Sequence, residues 1–425
     1  MSRIDEILKS IKVEYKTLDE IGEFYGGLTG KSKDDFSNGN AKFITYMNIF
    51  NNIAAKLNVQ EKVKISPTER QNTIQLGDVL FTGSSESAEE AGMSSVVTKQ
   101  PNEPIYLNSF SFGFRFFDKD LFLPDFCKYL FRDTKTRAGI IKASNGVTRF
   151  NVSKKAMSKI SIPIPPIKVQ QEIVRVLDSF TELEAELEAE LEARKKQYAH
   201  YRDQLLDFSA LTERERERER VEWLTLENVI MSLKTGLNPR KNFKLNDTGA
   251  ENYYVTVREI SNGQVTFVDK TDKVNDEALS LINNRSNLEI GDVLFSGTGT
   301  VGRTAVIEDE PTNWNIKEGV YSIKSRQDTI NPRFLAHLLN SAKIVSEYSK
   351  KICGSPVVSL PMKDLRRLTI PVPPKDEQNR IVAILDKFDK LVNDISEGLP
   401  AEIKARRQQY EYYRNKLLTF DGVIK

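Results

Sequence analysis

Cysteine and histidine are nearly missing: Cys127, Cys353, His200 and His337 are all that the 425 residues contain. Two cysteines cannot make a disulfide framework, and two histidines cannot build a zinc site without carboxylates. No apolar run approaches the ~18 residues a membrane span needs. The stretch Met1–Leu8 alternates charged and apolar residues and lacks the apolar segment of a signal peptide. An excess of one charge is missing too, since 62 Lys and Arg face 60 Asp and Glu, a formal net charge of +2. These absences point to a reduced, cytoplasmic, metal-free chain, and its length suits two domains with connecting elements.

Catalytic motifs are equally scarce. There is no G-x-x-x-x-G-K-[ST] phosphate loop, and no Cys or His placed as nucleophile or ligand. The pairs Pro165-Pro166 and Pro373-Pro374 precede Ile167 and Lys375, not the aromatic residue of an adenine-N6 methyltransferase motif, and read as strand-to-helix punctuation. Gly297-Thr298-Gly299-Thr300-Val301-Gly302 matches G-x-G-x-x-G, but a dinucleotide fold needs a helix next. The next residues, Arg303–Ile307, are β-rich and lead into the turn Glu308–Pro311, so a strand-to-strand loop is expected.

What is present is segregated charge. Residues 128–155 carry Lys128, Arg132, Lys135, Arg137, Lys142, Arg149, Lys154 and Lys155 against the single acid Asp133. Residues 231–245 carry Lys234, Arg240, Lys241 and Lys244 and no acid, while Glu182–Glu192 supplies much of the compensation. Local basic surfaces of this kind suit an anionic partner.

The chain is also written twice. Val13–Leu18 returns as Val221–Leu226, Leu76-Gly77-Asp78-Val79-Leu80-Phe81 as Ile290-Gly291-Asp292-Val293-Leu294-Phe295, Ile160–Pro166 as Leu368–Pro374, and Ala193–Tyr198 as Ala405–Tyr410. The offset is 208 at the start, 214 at the Gly-Asp-Val-Leu-Phe block and 208 again at Pro124 and Pro332. Chance does not hold one frame through separated blocks, so the halves are homologous units. Between the blocks, residues 26–75 and 234–289 share little beyond polar character, as expected of one scaffold carrying two different recognition inserts.

Each Pro-Pro pair opens a helix-period pattern. Ile173, Leu177, Phe180, Leu183, Leu187, Leu191, Tyr198, Tyr201 and Leu205 predict a helix of about 39 residues, roughly 58 Å long. Ile381, Leu385, Phe388, Val392, Ile395, Leu399, Ile403, Tyr410, Tyr413 and Leu417 predict a second, with a kink or short turn at Gly398 and Pro400. On this spacing the tyrosines pack in the seam rather than stack on bases. Glu182–Ala185 repeats in tandem as Glu186–Ala189 and Glu190–Ala193, and each helical copy adds about 6 Å and about 40° of rotation. Changing the copy number would move one domain by one to two base pairs at about 3.4 Å each; the plainer alternative is an acidic coiled-coil face without a ruler role. The alternation Glu213–Arg220 reads as a solvated connector or a frayed helix entering the second domain.

Two variable domains of about 150 residues, each closed by Ile-Pro-Ile/Val-Pro-Pro and followed by Gln170-Gln171 or Gln378 and a long helix, resemble type I restriction-modification specificity subunits. Pro373-Pro374-Lys375-Asp376-Glu377-Gln378 is close to that family's Pro-Pro-x-x-Glu-Gln; the first half departs from it at Val169-Gln170. The resemblance implies an α+β architecture: two homologous α/β target-recognition domains separated by a pair of long antiparallel coiled-coil helices, in a pseudo-two-fold repeat. The boundaries expected are 1–12 N-terminal helix, 13–166 first recognition domain, 167–212 spacer helix, 213–374 second recognition domain and 375–425 C-terminal helical region. It further implies that each domain reads one half of a bipartite site on double-stranded DNA. The helices would dock two methyltransferase subunits, which hold S-adenosylmethionine and methylate adenine N6. Restriction-translocase subunits would complete the complex; this chain would itself hold no cofactor and catalyse nothing.

Polar loop residues at base edges and Lys/Arg at phosphates are the expected contacts. In the first domain these are Lys31, Lys33, Asn38, Asn40, Asn48, Asn51, Ser84, Asn145, Thr148 and Arg149. In the second they are Lys234, Asn238, Arg240, Lys241, Arg258, Thr298, Thr300, Arg303 and Lys317. The spacer seam is expected from Leu177, Phe180, Leu183, Leu187, Leu191, Tyr198, Leu385, Phe388, Val392, Ile395 and Tyr410. Three rivals stand beside this reading: a fused methyltransferase, which would need a further catalytic domain; a coiled-coil adaptor without sequence-specific DNA binding; and a regulator that binds DNA alone, which near-neutral charge opposes.

Overall fold

The computed structural model describes residues 13–209, 212–213, 220–240, 242–394 and 397–420. The helix expected over 1–12, the candidates Lys241 and Ile395 and residues 214–219 of the Glu-Arg alternation lie outside them. Two compact units result, one of Met1–Ala185 with Ala405–Lys425, the other of Glu186–Lys404. Neither coincides with a sequence repeat: each contains the closing helical segment of the other half.

In the first unit a four-stranded antiparallel sheet runs in the order Gly22–Gly26, Ser111–Phe116, Val79–Thr82, Ser94–Val96. A second sheet pairs Ala41–Ile44 with Lys62–Val63 and, in parallel, with Ile105–Leu107. The second unit repeats this topology, with Ile230–Thr235, Val320–Ser325, Val293–Ser296 and Thr304–Val306 in one sheet. Its second sheet pairs Asn252–Val255 with Lys273–Val274 and, in parallel, with Trp314–Ile316. Mixed α/β domains of one design are thus joined by the long helix Ile167–Leu205.

The repeated Gly-Asp-Val-Leu-Phe block is intelligible from its place. Gly77 and Gly291 turn the chain at φ 88° and 87°, where a Cβ would be strained. The aspartate closes that turn by accepting from the main chain, Gln75 N–H at 2.8 Å for Asp78 and Glu289 N–H at 3.2 Å for Asp292. The strand after the turn lies between two apolar layers. Val79 and Phe81 enter one core and Leu80 another; Val293 and Phe295 enter one and Leu294 another. Burial on both faces explains an unbroken apolar run where alternation would otherwise be expected.

The glutamine after each Pro-Pro pair is a clamp. Gln170 Oε1 accepts from Leu123 N–H at 2.8 Å, and its Nε2 donates to Leu121 O at 3.1 Å and Pro165 O at 2.8 Å. Gln378 does the same with Asn331 N–H (2.7 Å), Thr329 O (3.0 Å) and Pro373 O (2.8 Å). Both are fully buried, so each ties the start of a long helix to the start of its domain's helix, Pro124–Leu130 or Pro332–Leu339. Gln170→Ala leaves a buried N–H and two carbonyls unsatisfied and is expected to destabilise the first unit by about 1–3 kcal/mol, measured by chemical denaturation.

Within each unit the long helices meet through the same pair of rings. Phe180 stacks on Tyr413 at 5.4 Å in the first unit, and Phe388 on Tyr201 at 5.5 Å in the second. Glu184 pairs with Arg407 one turn on from Phe180, while Arg407 precedes Tyr413, so these segments run antiparallel. Of the expected seam, Leu177, Leu187, Leu385 and Val392 are buried, and Phe180, Leu183, Leu191, Tyr198, Phe388 and Tyr410 half-buried. The second helical region is broken: Lys375–Asn393 ends before Gly398, and Leu399–Leu417 begins after it. From Phe388 to Ala405 the chain takes 17 residues, against 13 from Phe180 to Ala193, and the extra four accompany this break. The three Glu-Leu-Glu-Ala copies lie in one continuous helix, and the division between units falls after the first.

Candidate nucleic-acid interface

In the first unit three segments converge beyond the end of strand Val79–Thr82. Gly83 donates its N–H to Phe110 O at 2.8 Å and accepts from Val152 N–H at 3.0 Å, binding a turn and a hairpin to one point. A Cβ on Gly83 would stand 2.7 Å from Phe110 O, so the approach requires glycine. The hairpin Ser144–Asn145/Phe150–Val152 pairs with Ser84–Ser85 and turns through Gly146 at φ 149°. The short helix Tyr46–Asn51 completes the group: Tyr46 Oη donates to Ser84 O at 2.9 Å, and the Tyr46 and Phe50 rings stack at 6.0 Å. Together they enclose a cleft of about 830 Å³ with Tyr46, Met47, Phe50 and Phe110 as apolar walls and Ser84, Thr148, Arg149, Glu86 and Glu90 as polar ones.

Two half-buried arginines hold this frame from behind. Arg132 donates to Ile49 O (3.1 Å), Phe50 O (3.2 Å) and Ser94 O (2.7 Å); Arg137 donates to Gly92 O (2.6 Å), Glu89 O (2.8 Å) and Ala91 O (2.8 Å). Burial pushes both guanidinium groups down to about 10, still charged at neutral pH. Lys128, from the same basic run, pairs with Asp125 (2.9 Å) and Asp178 (2.8 Å). The run over 128–155 is therefore not one solvated patch, as its composition suggested: three of its cations are internal fasteners.

Several first-domain candidates hold loops through their side chains. Lys31, its side chain only 7% exposed, is held by Lys64 O and Glu69. Asn40 clamps Ile65 through both its N–H and its carbonyl (2.8 and 3.0 Å), and Asn48 clamps Lys56 likewise (3.1 and 2.8 Å). All three side chains shape loops, and Asn40 is exposed. Lys33, Asn38 and Asn51 are exposed, but none lines the cleft. Ser84, Thr148 and Arg149 line it together, and Asn145 lies on the adjoining hairpin.

In the second unit, strand Val293–Ser296 returns as Thr304–Val306 through the glycine loop, with Gly299 and Gly302 at φ 79° and 101°. A strand stands where a dinucleotide fold needs a helix, so this loop is a hairpin turn. Ser296 Oγ donates to Thr300 O at 2.6 Å and accepts from Arg303 N–H at 2.8 Å, fixing it. Thr298 Oγ1 lies 3.3 Å from Ser359 Oγ, and Thr300 is exposed. Arg303 donates to Val257 O and Ile260 O (3.0 and 3.3 Å), and Arg258 is paired with Asp272 at 2.8 Å while remaining half exposed. Lys317 and Arg240 are exposed, Lys234 sits half-buried in a strand, and Asn238 accepts from Asn242 through its main-chain carbonyl.

One segment carries no motif that sequence reasoning singled out. Cys353–Ser359, where Cys353 and Ser359 exchange main-chain bonds of 2.9 and 2.7 Å, is the second unit's counterpart of the hairpin over 145–151. It carries Gly354 at φ 107° and Val357 at 60% exposure. Gly354 stands 208 residues after Gly146, so the repeat frame already held the signal.

The second unit also has a cavity of about 420 Å³ lined by Tyr198, Arg303, Arg333, His337, Asp386 and Asp389, among others. Its charges satisfy one another: His337 lies 3.2 Å from Tyr198 Oη and 2.9 Å from Asp386, and Arg333 pairs with Asp386 at 3.0 Å. The first unit has the same joint, with Tyr129 Oη donating to Asp178 at 2.5 Å. It fastens domain to helix. Among the described residues no group of three or more His, Cys, Asp or Glu is placed to hold a metal, and no helix is long and apolar enough to cross a membrane.

The chain thus carries duplicated mixed α/β domains, each clamped to long helices and offering divergent loops at matching strand ends. The family model for the type I restriction modification DNA specificity domain matches residues 10–193 and again 219–405, and the chain belongs to that family. It is 34% identical over 280 residues to the Escherichia coli type I restriction enzyme EcoR124I/EcoR124II specificity subunit, covering 63% of this chain and 65%, just under two thirds, of that one. A putative type I restriction enzyme specificity subunit of Haemophilus influenzae is 33% identical, over 67% of this chain and 70% of its own length. A chain from a solved type I R-M system, studied for complex assembly and conformational transition, shares the fold with a TM-score of 0.65 at 15% identity, over 97% of this chain and 98% of that one.

Proposed function

We propose that this chain is the DNA-reading subunit of a type I restriction-modification complex, each domain reading one half of a bipartite site. The observation that carries the proposal is scaffold identity combined with loop divergence: the same sheets, turns and glutamine clamps present unlike loops at equivalent strand ends. Such a pair reads two unrelated sequences in a fixed relation. The helical segments set the unread gap and dock two methyltransferase subunits, which carry S-adenosylmethionine and methylate adenine N6; restriction-translocase subunits join them in the cytoplasm. This chain contributes recognition and no chemistry.

The tandem tetrapeptides supply the test of the spacer role. Deleting Glu186–Ala189 removes about 6 Å of helix, or one to two base pairs at about 3.4 Å each. Mapping N6-methyladenine in an unmethylated host that co-expresses the methyltransferase subunit should show both half-sites kept and the gap shortened. Altered half-sites, or an unchanged gap with full methylation, would refute the spacer role.

A further inference from the structure

Within the first unit's cleft, Arg149 has the geometry of a base reader. Its Nε donates to Ser84 Oγ at 3.1 Å, and Ser84 is buried and fixed by its own strand pairing with Asn151. That bond orients the guanidinium plane, and Arg149 as a whole is exposed. Among the described residues Arg149 forms no ion pair with a carboxylate. The hairpin beneath it is anchored at Gly83 and the loops in front are held by Arg132 and Arg137, so the fork is presented on a rigid frame. A pre-oriented planar fork of this kind matches guanine O6 and N7 in the major groove.

The rest of the cleft favours a base edge over a phosphate. Glu86 and Glu90 line it, and two carboxylates repel a phosphate but accept from the exocyclic amine of cytosine, guanine's partner. Met47 and Phe110 expose 55% and 63% of their surface there, apolar area that suits a base rather than the charged backbone. The second unit lacks this device: Val357 occupies the position 208 residues on, in the hairpin whose Leu360 bonds Gly297 as Val152 bonds Gly83.

We infer that Arg149 specifies a guanine in the half-site read by the first domain, an inference that rests on the proposed function. The full chain, wild type or carrying Arg149→Ala, Arg149→Lys or Ser84→Ala, is co-expressed with the methyltransferase subunit in an unmethylated host, and N6-methyladenine is mapped. Both Arg149 variants should lose preference at one G·C position of one half-site, by roughly 5- to 150-fold, with the other half-site unchanged. Lysine should also relax the position, because a flexible point charge lacks the planar fork that Ser84 orients. Ser84→Ala should keep the guanine with weaker discrimination. Hydrogen exchange over residues 13–185 should match wild type for Arg149→Ala, since the side chain is exposed. An unchanged motif, or even weakening with no position relaxed (the mark of a phosphate contact), would overturn the inference while the proposed function stood. A wild-type chain that directs no motif-linked methylation would overturn both.

Discussion

Removing residues from Leu417 onward should unfold the first unit and leave the second intact. Leu417, Leu418 and Phe420 are 1%, 2% and 6% exposed, and they belong to the core built by Val13, Phe81, Phe126, Ile162 and Leu177. Truncating one buried leucine or phenylalanine costs about 2–5 kcal/mol, and the three together approach the roughly 5–15 kcal/mol that holds a domain folded. The bond from Tyr15 Oη to Phe420 O is lost as well. Leu206 and Phe208 do the same work in the second unit, at 3% and 7% exposure, so Leu206→Ala with Phe208→Ala should reverse the pattern. Hydrogen exchange resolved by peptide distinguishes the two. Retained protection over 13–185 in the truncated chain would contradict this account of the core.

Asp78→Ala should cost the first unit about 3–5 kcal/mol, because it strands a partly buried cation. Asp78, 1% exposed, accepts from Arg115 Nε at 2.9 Å and Nη2 at 2.6 Å, and from Tyr25 Oη at 2.7 Å. Burial and the neighbouring carboxylate push the Tyr25 hydroxyl far up, keeping it a neutral donor. The hydrogen bonds to Asp78 hold Arg115 above the ordinary guanidinium range. In the second unit Asp292 accepts from Ser322 Oγ at 2.9 Å and lacks an arginine fork, and burial raises its carboxyl. Asp292→Ala should therefore cost less, about 1–3 kcal/mol. Denaturant titrations that follow each unit separately would show the asymmetry; equal losses would mean that the Asp78–Arg115 pair adds nothing beyond its turn.

Legibility in the sequence tracked the range of the interaction. Features written in a short window could be read: the long helix from its spacing, the break at Gly398 from Gly and Pro, the glycine loop from the strand after it. The glutamines could be noticed as a motif, but their clamp could not, because Gln170 closes on Leu121 and Leu123, 49 and 47 residues away. Arg132 and Arg137 look like surface charge for the same reason; their carbonyl partners lie 38 to 83 residues off. Lys31, Asn40 and Asn48 read as free polar groups because polarity alone does not distinguish a loop's fastener from its contact. The seam periodicity announces that the last helical turns pack. It does not say that Leu417 and Phe420 complete the core of the first domain.

The central claim is tested most directly by expressing the methyltransferase subunit in an unmethylated host with and without this chain and mapping N6-methyladenine across the genome. One bipartite motif, present with the chain and lost without it, is the expected result. A stable complex that leaves no motif-linked methylation would contradict the reading and favour a coiled-coil adaptor.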